Sequence, residues 1–117
     1  MGTGFHDLKV WREAKALAVA VYRVTSDLKD FSLRDQIRRA AVSVPSNIAE
    51  GDERDSDKDG IRFFYIAKGS LAELRTQIEI AVEVGLIRGP VAEPILGASA
   101  ALARRLGALI KARTPHA

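Results

Sequence analysis

Val10, Ala14, Leu17, Val21, Val24 and Leu28 recur at intervals of 4, 3, 4, 3 and 4 residues. A helix of about 3.6 residues per turn puts such positions on one side, and a strand does not. The same rhythm returns three times. Leu33, Ile37, Ala40, Val44 and Ile48 form a second stripe, and Phe64, Ala67, Leu71, Leu74, Ile78 and Ala81 a third. Ile95, Ala98, Leu102, Leu106 and Leu109 form the fourth. No segment alternates apolar and polar residues, and no Asn-Gly hairpin signal interrupts the pattern. Four amphipathic helices with short connections must bury their stripes against one another. The sequence therefore predicts an all-α chain, an elongated up-down-up-down antiparallel four-helix bundle. It forms one domain over 1–117, with helices at approximately 7–28, 33–53, 57–84 and 91–112.

Local signals set the expected boundaries. Asp7 is placed to accept from free N–H groups at the first helix start. Ser32-Leu33-Arg34-Asp35 fits a capping box for the second helix, and Ser56-Asp57-Lys58-Asp59 repeats the signal for the third. Pro45 falls inside the second stripe; it removes a donor and crowds the carbonyl of Ala41, so a kink in a continuous helix is expected. Gly69 sits mid-helix, where it suggests close helix approach. Gly85 is the expected stop of the third helix, with Arg88-Gly89-Pro90 as the turn.

Composition removes whole classes of chemistry. With no cysteine among 117 residues, there is no disulfide, thiolate metal site or thiol nucleophile. No apolar run reaches the roughly 20 residues that span a bilayer. The start of the chain lacks a signal-peptide layout, so the expected location is the cytoplasm. His6 and His116 stand near opposite ends, outside any HExxH pattern, and no Gly-x-Ser-x-Gly elbow or phosphate loop is present. The carboxylates from Glu50 to Asp59 miss the spacing of a calcium loop. No catalytic residue, cofactor or metal is expected, and the chain reads as a non-enzyme.

The formal charge of +3 is unevenly spread. Residues 50–59 sum to −4, whereas residues 94–117 hold Arg104, Arg105, Lys111 and Arg113 and no acid. With Arg34 and Arg38 on the second helix, these side chains are the candidate nucleic-acid contacts, expected to be sequence-independent and salt-sensitive. Positions 34, 38 and 105 are expected to be largely exposed. No aromatic side chain is interleaved with them in sequence, which argues against base stacking. A second feature is polar. Gln36, Arg39, Ser43, Asn47 and Glu50 line up on the second helix, and Ser70, Glu73 and Gln77 on the third. These stripes fit either a solvated face or a hydrogen-bond network, within one chain or between copies. The network alternative expects Arg39 or Asn47 to bond Ser70 or Glu73. Surplus apolar residues beside the main stripes, among them Trp11, Ala18, Tyr22, Phe63, Ile66 and Ile80, point to self-association.

Several motifs occur in order: Phe5-His6-Asp7-Leu8-Lys9-Val10-Trp11, Gln36-Ile37-Arg38-Arg39-Ala40, Ser43-Val44-Pro45-Ser46-Asn47-Ile48-Ala49-Glu50-Gly51 and Gly69-Ser70-Leu71-Ala72-Glu73. Together, over roughly Phe5 to Ile87, they resemble the four-helix-bundle family of 23S rRNA intervening-sequence proteins. The resemblance implies a bacterial, cytoplasmic, non-enzymatic bundle associated with homopentameric, barrel-like rings. It also implies a related branch that serves reverse transcriptases and binds RNA or DNA through a basic surface. The matched positions are Gln36, Arg39, Ser43, Pro45, Asn47, Glu50, Gly51, Gly69, Ser70 and Glu73. The expected partners are thus further copies of the chain, as a pentamer, and nucleic acid, with no membrane. The alternative is a protein-interaction adaptor with no nucleic-acid role.

Overall fold

A single 3-10 turn, Gly4–Asp7, leads into four α-helices: α1 Lys9–Val24, α2 Phe31–Asp52, α3 Asp57–Glu83 and α4 Gly89–Arg113. This computed structural model describes residues 4–115, among which there is no strand. His116 lies outside the described residues. Each helix packs on its neighbours in sequence and α1 also packs on α4, so the helices follow one another around the bundle in chain order. The body measures 47 × 29 × 22 Å. No described helix is long and apolar enough to cross a membrane.

The apolar stripes become the core. Val10, Ala14, Leu17, Val21, Ile37, Ala40, Val44 and Ile48 are buried, as are all six stripe residues of α3. On α4 the stripe differs from expectation. Ala98 is exposed and Leu109 half-buried, while Ser99 and Ile110 are buried, so the seam runs Ala92, Ile95, Ser99, Leu102, Leu106 and Ile110. Among consecutive small residues, hydrophobicity discriminates little between one register and the next.

Helix ends also depart from the sequence expectation. Leu8, not Asp7, is the N-cap of α1, without a side-chain bond. Its entry is fixed instead by Phe5, His6 and Trp11, whose rings lie 4.2–5.0 Å apart. α1 stops at Val24, and the Thr25 hydroxyl just beyond it donates to the Val21 carbonyl at 2.7 Å. Leu28 is buried beyond the helix, in the turn. Asp30, not Ser32, caps α2, accepting from the Leu33 amide at 3.0 Å. The expected cap of α3 is present, Ser56 accepting from the Asp59 amide at 3.2 Å. Gly85, at φ 80°, ends the turn after α3, where the Leu86 amide donates to the Ala81 carbonyl at 2.8 Å. α2 remains helical through Pro45.

Close backbone approach occurs at Gly51 and Gly60. A Cβ on Gly51 would lie 2.7 Å from the Gly60 carbonyl oxygen and from the Phe64 ring; one on Gly60 would lie 2.5 Å from the Gly51 oxygen. Gly69, expected to serve that purpose, faces open space. Gly51 opposite Gly60 and Ser43 opposite Ser70 place α2 and α3 antiparallel at this seam.

Candidate functional site

The polar stripes meet at one point between α2 and α3. Ser43 Oγ and Ser70 Oγ are 2.8 Å apart. The Asn47 amide donates to the Ser43 carbonyl at 2.8 Å and to Ser43 Oγ at 2.9 Å. Accepting from Asn47 leaves Ser43 Oγ a proton and a second lone pair, so either serine hydroxyl can donate to the other. The inter-helix link therefore runs through Ser43; within the chain neither Arg39 nor Asn47 bonds Ser70 or Glu73 directly, the pairing that the network alternative expects within one chain or between copies. Gln36, Arg39 and Glu73 are exposed and have no hydrogen bond or ion pair among the described residues. Glu50 pairs with Arg54 along its own helix at 3.1 Å. Gln77 continues the seam, with a buried Oε1 that has no hydrogen-bond partner among the described residues.

The six basic candidates separate into two groups. Four are engaged. Arg34, expected to be exposed, is half-buried: it pairs with Asp35 at 3.1 Å and lies over the Phe31 ring. Arg38, expected to be exposed, is half-buried: it donates to Thr25 Oγ1 at 2.9 Å and to the Tyr22 carbonyl at 3.2 Å, with its guanidinium 4.4 Å from the centre of the Tyr22 ring. It fastens α2 to the end of α1. Arg105 reaches Glu13 on α1 at 2.7 Å. Arg113 pairs with Asp52 at 3.1 Å, both half-buried, and sits over Phe64. Arg104 and Lys111 are exposed and have no ion pair among the described residues.

Folding gives these last two a neighbour that the linear order conceals. Tyr65, 58% exposed, lines a surface groove between α3 and α4 with Gly107, Lys111 and Thr114. Lys68, one turn along α3, brings its Nζ to 3.8 Å from the position a Cβ on Gly107 would take. Arg104 precedes Lys111 by seven residues, hence on the same stripe of α4. An aromatic ring and three cations thus share one strip. Tyr65 and Lys68 were absent from the sequence-derived site. Their three-residue spacing on α3 was the available signal, but 46 residues separate Tyr65 from Lys111. Such a strip can hold phosphates and offer one ring for stacking. The imidazole of His6 stacks on Phe5. Among the described residues, no three His, Asp or Glu side chains gather as metal ligands.

Comparison with known proteins agrees with this architecture. A crystal structure of a protein of unknown function from the S23 ribosomal protein family of Bacteroides thetaiotaomicron superposes with a TM-score of 0.82. The match covers 87% of this chain and 98% of that one at 24% identity, which establishes a shared fold. No curated protein sequence matches. The profile of the family described as 23S rRNA-intervening sequence protein matches residues 6–108. With nearly the whole bundle inside that match, the chain belongs to the 23S rRNA-intervening sequence protein family.

Proposed function

We propose that the protein is a cytoplasmic, non-enzymatic helical scaffold that self-associates and holds nucleic acid by its phosphates along the α3/α4 strip. One observation carries the reading: Lys68, Arg104 and Lys111 are exposed and lack ion pairs among the described residues, Lys68 and Lys111 flank Tyr65, and Arg104 lies two turns along the same stripe of α4. Charges already committed to a carboxylate gain little by exchanging it for a phosphate, whereas these three bring only their counter-ions and water. Self-association as a ring, five copies by family resemblance, repeats the strip and adds avidity.

Three phosphate contacts per strip give a fall of log affinity against log salt with a slope of about −2 on single strands and about −3 on duplex. Fluorescence anisotropy with labelled RNA and DNA, at two salt concentrations, reads this directly. A Lys68→Glu/Lys111→Glu variant is expected to lose binding, and Arg34→Glu/Arg38→Glu is not expected to act through phosphate contacts. Undiminished binding by a folded Lys68→Glu/Lys111→Glu variant overturns the assignment. Exposed Ile66, Ile80 and Val84 along α3 favour a second reading, a protein-interaction adaptor. That reading takes over if the wild type binds no nucleic acid at low salt.

A further inference from the structure

The α1/α2 side and the α3/α4 side face away from each other, since the helices pack around the bundle in the order α1, α2, α3, α4 and back to α1. Both expose apolar surface, ringed by opposite charge. On the α1/α2 side, Val19, Tyr22 and Val42 are 42%, 45% and 41% exposed. They line a groove with Lys15 and Arg23 and no carboxylate. Arg39 flanks it, and the carboxylate at that rim, Asp35, is held by Arg34. On the other side, the end of the α3/α4 groove remote from Lys111 is lined by Val82, Pro90 and Leu96 among Glu79, Glu83 and Glu93, with no cation. Neither these three carboxylates nor Arg23 and Arg39 form an ion pair among the described residues.

We infer that these two surfaces are the two halves of one contact: the basic apolar α1/α2 side of one copy packs on the acidic apolar end of the α3/α4 side of the next. This rests on the self-associating reading above and adds which surfaces meet and in what sense. Either side placed against its own copy would oppose like charges across a drying interface. Opposite sides attract, steer encounter and remove both apolar patches from water. Helix pairs can meet this way through side-chain ridges seated in inter-helix grooves. Because the halves lie on opposite sides of the bundle, every added copy leaves one of each unpaired until the chain of contacts closes. The contact is therefore head-to-tail and not that of a two-fold dimer.

The test is charge reversal read by sedimentation equilibrium, with helicity checked by circular dichroism. Arg23→Glu/Arg39→Glu and Glu79→Lys/Glu83→Lys are each expected to weaken self-association on the order of 100-fold, moving the mass toward the 12.7 kDa of one chain. A chain carrying all four reversals regains complementarity with itself and is expected to recover the oligomer. Should a reversed variant lose helicity, the Gln versions of the same positions replace it, with weakening expected from each. A wild type that is monomeric at micromolar concentration overturns self-association itself. A wild-type oligomer that survives both reversals, or is not recovered by their combination, overturns this pairing alone.

Discussion

Adding one methyl group at Gly60 or at Gly69 has opposite consequences in this fold. Both glycines are helical, and replacing a mid-helix glycine by alanine gains up to about 1 kcal/mol from propensity. At Gly69 the new Cβ meets nothing within 4 Å, so Gly69→Ala should keep most of that gain. At Gly60 the new Cβ would lie 2.5 Å from the Gly51 carbonyl oxygen. The obstacle is backbone on the facing helix, which cannot rotate aside as a long side chain would. Relief requires α2 and α3 to part by roughly 1 Å, loosening contacts along a seam that includes fully buried Phe64. Overpacking of this kind costs about 1–3 kcal/mol, against a smaller propensity gain in the first turn of α3. The expected result is a rise in midpoint for Gly69→Ala and a fall of several degrees for Gly60→Ala. Thermal and urea unfolding followed by circular dichroism, at matched concentration and oligomeric state, decides it. A Gly60→Ala protein as stable as the wild type would refute the close crossing.

The Ser43–Ser70 bond should appear as a coupling of about 0.5–1.5 kcal/mol in a double-mutant cycle to alanine, measured by urea unfolding; a coupling of zero would mean the two hydroxyls do not share a bond. Asp30→Ala should cost about 1 kcal/mol by loss of the α2 cap, while Ser32→Ala, one residue inside the helix, should change stability little. A larger loss from Ser32→Ala would restore the capping box read from the sequence.

The core of the first three helices was legible because each stripe mixes large apolar residues with charged neighbours, which leaves a single rotation that buries the former. On α4 that contrast disappears between Gly97 and Ala103, and Ser99 rather than Ala98 turns inward. Caps were less legible: Asp30 and Ser32 are both good caps, and the choice between them depends on how the chain leaves Leu28. Sequence alone overestimated the exposure of Arg38, because its acceptors, Thr25 Oγ1 and the Tyr22 carbonyl, exist only once α1 has ended where it does. The strip containing Tyr65 and Lys111 was hidden for the same reason. Helical spacing identifies neighbours along one helix, but pairing across two helices is fixed by a register that no local pattern encodes.

That register is held at two places. The Gly51–Gly60 crossing permits no side chain on either helix, and Ser43–Ser70 lies eight residues away along α2, about 12 Å. A steric stop at one point leaves a helix pair free to pivot, and a polar link at one point leaves it free to slide. Held at both, α2 and α3 lose sliding and pivoting together, and their outer surfaces keep a constant mutual angle. Constancy of angle separates a closed ring from an open filament: a few degrees of play per copy, compounded around successive contacts, would carry the last copy past the first. In the head-to-tail arrangement proposed above, two small serines and two glycines that line neither contact surface would then govern whether, and at how many copies, the circle closes.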